Sequence, residues 1–314
     1  VNTLENLKGK TAFITGGASG IGLGIAKACA KDGMNVVIVD MRQDALDEAA
    51  AIFKENNWPA LCLKLDVTDR AAYIKAADEA EAKFGNLHLL VNNAGIGCAG
   101  GPLWEVTPKE TDLAIDVNLT AVLNGVQTIV PRMLKHGESS HIVSTSSKAG
   151  LIAVPGCGLY NVTKQAVVAI METLAMDLKD TNIGASVFCP GAFQTNLGRS
   201  SREVSAAHLG DDMKAPPPPP PPPKEGEPNP FAAVAELFRS PDDAGERVLR
   251  GVKRGDLYIL THVEFKKGVE SRGNAMLRAF PDEVPNPKYA EIFPMLVYNE
   301  IFDQQSQVPA LEKK

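Results

Sequence analysis

Thr11-Ala12-Phe13-Ile14-Thr15-Gly16-Gly17-Ala18-Ser19-Gly20-Ile21-Gly22 is the stretch whose reading decides the fold. A short strand-like run enters a glycine-rich turn, and helical spacing begins at Gly20. Glycine at such a turn admits positive φ and lets another group approach the backbone closely. The free N–H groups and the dipole of the helix that follows favour an anion such as a pyrophosphate. Any tight turn uses glycine, so the pattern gains meaning only from its surroundings.

The next apolar run, Asn35–Asp40, ends on an acid. A carboxylate at that point accepts hydrogen bonds from the ribose hydroxyls of an adenosine. It also repels a 2′-phosphate, which carries about −1.5 to −2 charge. The turn and the acid therefore predict NAD(H) over NADP(H), with Gly16, Ser19, Gly20, Ile21, Gly22, Asp40 and the adjacent Met41 around it. Arg42 is either solvated or a group that softens this preference.

Five further strands follow at Leu61–Leu65, Leu87–Val91, His141–Thr145, Ala185–Cys189 and Leu257–Leu260. Several are apolar at nearly every position, as in strands covered on both faces. Helical segments alternate with them near Gly20–Asp32, Asp44–Asn56, Arg70–Phe84, Asp112–Leu134, Tyr160–Lys179 and Asp242–Arg254. This alternation predicts an α/β protein: a doubly wound, parallel, seven-stranded Rossmann sheet with right-handed crossovers. The dinucleotide domain spans 1–261 and includes a long insert at about 193–240, which holds the run Pro216–Pro223. Polyproline is a stiff extended spacer, and a loop this long in a compact domain is usually functional or disordered, so the insert is expected to be either a substrate lid or a solvated surface loop. Residues 262–314 form a C-terminal extension with apolar spacing for two helices, packed on the same domain or on a partner subunit.

Composition narrows the function classes. The 314 residues carry a net charge of −6 with no basic block, which argues against a nucleic-acid binder. Five cysteines stand without any C-x-x-C pair, suiting free thiols in a reducing compartment. The histidines lack metal-ligand spacing, and no metal site is expected. The N-terminal residues lack the apolar core of a signal peptide. No uncharged apolar run approaches the ~18 residues of a membrane span. The expectation is a cytoplasmic protein with a small-molecule substrate, without nucleic-acid or membrane partners.

Tyr160-Asn161-Val162-Thr163-Lys164 places a phenol and an ammonium at i and i+4, one helical turn apart. Alone, this is equally well a Tyr and a Lys on a helix surface. Ser147, just past a strand end where such sheets place ligands, shifts the reading toward chemistry.

Together these segments resemble the short-chain dehydrogenase/reductase family. Its T-G-x-x-x-G-x-G stands as Thr15 to Gly22, and its N-N-A-G as Asn92-Asn93-Ala94-Gly95. The helix asparagine is Asn118. The serine and the Y-x-x-x-K are Ser147, Tyr160 and Lys164, and P-G-x-x-x-T is Pro190 to Thr195. The match covers roughly 7–200, with 240–261 completing the core. The resemblance implies that Tyr160 moves a proton, Ser147 fixes the reacting oxygen, Lys164 lowers the phenol pKa and holds a ribose, and Asn118 supports a water-linked relay. It implies adenine contacts at Asp66 and Val67, a ribose contact at Asn93 and Ala94, and nicotinamide-side contacts at Pro190, Phe193 and Thr195. Of the adjacent serines, the family spacing selects Ser147 over Ser146.

The resemblance further implies an NAD-dependent exchange of a secondary alcohol and a ketone, and a homodimer or homotetramer built through Asp112–Leu134 and Tyr160–Lys179. In length and in its extended C-terminus the chain is similar to bacterial dehydrogenases of aromatic side-chain alcohols, which implies a bulky or aromatic substrate. Cys98, Cys157 and Phe193 follow motifs that border the cleft, and Lys148 directly follows Ser147. Two other classes stay open: a catalytically idle dinucleotide sensor or scaffold, and an interaction protein that recruits a proline-binding domain.

Overall fold

The computed structural model describes residues 3–98, 100–210 and 236–309. The proline run at 216–223, and with it the spacer role expected for it, lies outside these residues.

Seven strands form one parallel sheet: β1 (Thr11–Thr15), β2 (Asn35–Asp40), β3 (Ala60–Lys64), β4 (Leu89–Asn92), β5 (Ser140–Thr145), β6 (Ile183–Cys189) and β7 (Tyr258–Leu260). Their order is β3-β2-β1-β4-β5-β6-β7. The order reverses between β1 and β4, which pair with Phe13 opposite Leu90. At that reversal the connections leave β1 and β4 on opposite faces, and a crevice opens at the strands' carboxyl ends. The glycine turn after Thr15 and the Asn92-Asn93 step after β4 both end there.

Every residue of β1, β4, β5 and β6 is buried. That burial explains their lack of apolar–polar alternation. One face is covered by α1 (Gly20–Lys31), α2 (Gln43–Glu55) and α8 (Pro241–Arg254), with Ile14, Ile25, Ile38 and Val248 in a common core. The other face carries α3 (Arg70–Phe84), α5 (Ala121–His136) and α6 (Gly158–Asp177), packed through Phe13, Tyr73, Ile129 and Val167.

Three expectations need correction. The helix read as Asp112–Leu134 starts earlier, at α4 (Pro108–Ile115), where Thr107 and Glu110 form a reciprocal capping box with Pro108 in the first turn. It is also not continuous: Asp116–Thr120 form a π-turn before α5 begins. Together Pro108–His136 are 29 residues, long and apolar enough to cross a bilayer by length and composition, and half of the apolar window is buried within the protein. That is the pattern of a helix covering a sheet. Finally, among the described residues the tail forms four α-helical pieces rather than two, α9 (Lys266–Arg278), α10 (Pro287–Ile292), α11 (Pro294–Val297) and α12 (Glu300–Gln307), preceded by a 3-10 turn at Val263–Phe265. Pro287 and Pro294 each stand at a helix start, where a missing N–H costs nothing, so the prolines cut one apolar run into short segments. Met276, Leu277, Phe280, Ile292 and Leu296 are exposed. The chain returns to the domain at α12, where Ile301 is buried and Glu300 pairs with Lys179.

The insert also contributes structure. Helix α7 (Leu197–Leu209) lies within it, and Val204 and Leu209 pack on Ile96 and Leu113. The Ser201 hydroxyl accepts a hydrogen bond from the Gly97 N–H at 2.8 Å. This helix therefore covers one end of the crevice.

Candidate active site

A cleft of about 1530 Å³ runs along the carboxyl ends of the strands. It exceeds the ~300–1,000 Å³ of an ordinary small-molecule pocket, as a site for two ligands must. Its walls include Gly16, Ser19, Gly20, Ile21, Asp40, Met41, Asp66, Val67, Asn93 and Ala94 at one end. Ser147, Tyr160, Lys164, Pro190, Phe193 and Thr195 line the other.

The turn is shaped for close approach. Gly16 has φ +60°, and a Cβ there would lie 2.9 Å from the Ala94 Cα. Gly22, expected as a contact, does not line the cleft. It packs beneath the turn, where a Cβ would collide with the Gly16 carbonyl. Its requirement is steric support of the loop, which the motif alone does not separate from ligand contact. Asn93 ties the two strand ends together: its N–H donates to Thr15 Oγ1 at 2.9 Å and its Nδ2 to the Gly16 carbonyl at 3.2 Å.

Asp40 is buried at the end of β2 and accepts from the Arg42 N–H at 3.1 Å. Burial raises its pKa, and the Arg42 N–H and guanidinium partly offset this. Arg42 is not solvated: it reaches back to donate to Ser19 Oγ at 3.2 Å. Asp66 stays exposed, with Oδ1 accepting from the Thr68 N–H and hydroxyl at 2.9 and 2.7 Å.

The adjacent serines part company at the end of β5. Ser146 is buried and donates to the Lys164 carbonyl at 2.7 Å. Ser147 lines the cleft, its Oγ accepting from the Ala149 N–H at 3.2 Å. Consecutive residues of extended chain face opposite ways. Both residues border the crevice, but the Ser146 hydroxyl is committed to the Lys164 carbonyl, which leaves Ser147 as the hydroxyl open to a ligand.

Lys164 is buried, and its Nζ donates to the Thr145 carbonyl at 3.1 Å while lying 5.6 Å from the Tyr160 ring centroid. Desolvation lowers its pKa to about 8. The Tyr160 phenol is pushed up by burial and drawn down in part by a hydrogen bond with Ser147. Loss of water is the dominant influence on this phenol; the expected effect of Lys164 acts together with the positive charge of a bound nicotinamide.

Asn118 sits behind the wall rather than in it. It occupies the π-turn, a local widening that recurs at functional sites. Its Oδ1 accepts from the Ile96 N–H at 2.8 Å, and its Nδ2 donates to the Ile96 carbonyl at 3.0 Å and to Thr163 Oγ1 at 3.3 Å. Cys98 Sγ lies 3.9 Å from the same amide, and Cys157 borders the cleft.

Part of the wall comes from beyond the last strand, which the motifs did not reveal. His262 stacks on Phe265 and meets Phe193 edge to face. Glu264 and Phe265 also line the cleft. Aromatic residues immediately after a short terminal strand were the available signal.

A family model described as short chain dehydrogenase matches residues 10–206. The chain belongs to this family. Among curated relatives of this short-chain dehydrogenase, a C alpha-dehydrogenase from Sphingobium sp. strain SYK-6 is 33% identical over 288 residues, covering 91% of this chain and 92% of the relative. A solved short-chain dehydrogenase/reductase from Burkholderia phymatum, in complex with NAD, has TM-score 0.76 and 30% identity, with 90% and 99% of the two chains covered. A short-chain dehydrogenase from Burkholderia cenocepacia J2315, in complex with NADP, has TM-score 0.63 and 28% identity, with 79% and 92% covered. Membership makes this dehydrogenase an oxidoreductase with an NAD(P) site, and its sheet and crevice share the architecture of those structures.

Proposed function

We propose that the protein interconverts a secondary alcohol and a ketone with NAD(H). The observation that carries this reading is the convergence of Ser147, Tyr160 and Lys164 on one wall of a cleft whose far end is closed by the buried carboxylate of Asp40. The close-packed turn at Gly16 and the helix N-terminus behind it suit a pyrophosphate. Asp40 and Met41, with Asn93 and Ala94, would hold the adenosine ribose, and Asp66 and Val67 the adenine. Lys164, Pro190, Phe193 and Thr195 would surround the nicotinamide end.

When bound, the cofactor supplies a hydride acceptor or donor. The chain's own residues handle the proton. Tyr160 takes the hydroxyl proton of an alcohol during oxidation and returns it to the carbonyl oxygen during reduction. Ser147 donates to that same oxygen and fixes its position. Lys164 brings a positive charge beside the phenol, and the positive charge of an oxidised cofactor adds to it. Asn118 keeps the Ile96 segment in place and leads toward the Thr163 hydroxyl, consistent with a supporting part in proton movement.

Arg42 tempers the cofactor preference. A guanidinium held beside Ser19 gives a 2′-phosphate one favourable partner, while the carboxylate of Asp40 opposes it. We assign NAD(H) as the preferred cofactor because the carboxylate of Asp40, at the end of β2, borders the cleft where a ribose hydroxyl would sit, whereas the Arg42 guanidinium is drawn toward Ser19. The bulk of the cleft and its aromatic far wall favour a large or aromatic substrate. Free thiols at all five cysteines fit a reducing, cytoplasmic setting, and the apolar residues exposed on α4, α5 and α6, namely Ile115, Leu123, Leu134 and Val162, favour a homodimer or homotetramer.

The test is a turnover screen of secondary alcohols and aryl or alkyl ketones with NADH and NADPH in parallel, using wild type and Tyr160→Phe. Turnover that disappears in the variant supports the reading. Cofactor binding without turnover of any substrate favours the idle sensor instead.

A further inference from the structure

We propose that Lys148 anchors a carboxylate on the substrate, so that the natural substrates are anionic secondary alcohols or ketones. This deepens the oxidoreductase reading and rests on it.

The position of Lys148 is set by the backbone. It follows Ser147 directly, and its N–H donates to the Pro190 carbonyl at 2.9 Å. The residue is thereby held between the serine and the loop that borders the reacting end of the cleft. Its side chain is half-buried and lines the cleft. The ammonium lies 5.1 Å from the Phe265 ring centroid, and Phe265 is braced by stacking on His262.

The other lysines and arginines of the cleft are engaged: Arg42 faces Asp40, Arg239 faces Asp243, Lys164 donates to the Thr145 carbonyl, and Lys109 has a partner of its own. Among the described residues no ion pair or side-chain hydrogen bond engages the Lys148 ammonium, although Glu264 stands next to Phe265 on the same wall. An aromatic face attracts a cation but offers no acceptor lone pair, so it replaces lost water only in part. A carboxylate supplies what is missing: a charge-assisted acceptor within reach of a fixed ammonium. Placed one residue from Ser147, that ammonium orients an anionic substrate with its carbonyl toward the serine and Tyr160.

The test uses 4-acetylbenzoate and its neutral counterpart 4-acetylbenzamide, titrated calorimetrically into the full chain with NADH present and again without it. Wild type is expected to bind the acid about tenfold tighter than the amide, one decade in Kd. Lys148→Met removes that preference, and Lys148→Arg, which keeps the charge, retains most of it. Turnover of both ketones is measured on the same samples. Wild type that shows no preference, binds neither ligand, or loses both ligands equally in Lys148→Met overturns the proposal. A charge preference that depends on Lys148 without turnover of either ketone overturns the oxidoreductase reading but leaves the anion site standing. Turnover without a charge preference does the reverse.

Discussion

The Ser146 hydroxyl donates to the main-chain carbonyl of Lys164 at 2.7 Å. That bond ties the end of β5 to the first turns of α6, and it leaves Ser147 as the hydroxyl facing the cleft. The strand end and the helix that carry the proposed proton chemistry are therefore fastened by a residue that takes no part in it.

This relationship separates two neighbouring substitutions. Ser147→Ala should lower kcat by about 10²-fold or more, the usual scale for one oxyanion-positioning donor, with a stability loss of about 1 kcal/mol from the lost cap on the Ala149 N–H. Ser146→Ala leaves the buried Lys164 carbonyl unpaired and should cost roughly 1–3 kcal/mol of stability. Its kcat should fall far less. Steady-state kinetics and thermal melts on both variants check the pair, and a reversed order would contradict the assignment.

Tyr160→Phe should abolish turnover while NADH binding, read by fluorescence, stays near wild type. One hydroxyl is removed and the ring packing is kept. In wild type the raised phenol pKa keeps Tyr160 protonated at neutral pH in the unliganded protein. That is the form needed to donate a proton. Reduction should therefore weaken, and oxidation strengthen, only as pH approaches and passes the ordinary phenol value of about 10. A pH profile with the opposite slopes would sink the role.

Asp40→Ala should relax discrimination against NADPH, because it removes both the ribose acceptor and the charge that opposes a phosphate. Arg42→Ala in the same background should take that gain away, since Arg42 is the adjacent cation. The ratio of kcat/KM for NADPH and NADH measures both. A wild type that already prefers NADPH would refute the assignment of Asp40.

Lys164 carries a stability cost. Its folded pKa of about 8 lies below the usual 10.5, so between these values the unfolded chain binds more protons than the folded one. By linkage, this residue's contribution to stability rises with pH across about 8 to 10.5. The penalty at neutral pH is on the order of 3 kcal/mol. Lys164→Met should therefore be inactive yet melt no lower than wild type at pH 7, with wild type gaining on it as pH approaches 10. Melting curves of the two proteins at pH 7 and pH 10 decide the point.

Static light scattering should find a dimer or tetramer at micromolar concentration. Leu123→Glu, at an exposed apolar position on α5, should shift the population toward monomer. A monomeric wild type would show that these helix faces are ordinary surface.

Much of the fold was legible in the residues themselves. The buried parallel strands lack polar alternation, and the glycine turn, the acid closing β2 and the Tyr–Lys pair at helical spacing all depend on neighbours within a few positions. Local periodicity is enough to read them. Boundaries shifted where local signals compete: Pro108 and the Thr107–Glu110 box start α4 ahead of its apolar stripe, and the π-turn at Asp116–Thr120 has no periodic signature.

Contacts between distant segments were decided by the tertiary structure alone. Gly22 supports the turn instead of facing a ligand because the first turn of α1 packs under Gly16. Asn118 braces Ile96 from behind because the π-turn aims it inward. Arg42 folds back on Ser19, and Lys148 meets Phe265 from beyond the last strand, a separation of more than a hundred positions that no local pattern encodes. The sequence by itself determined the sheet, the crevice and the residue types brought to it, because these follow from short-range sterics and burial. Which groups face the crevice, and whether water or a neighbour satisfies each charge, depended on the packing of the whole chain.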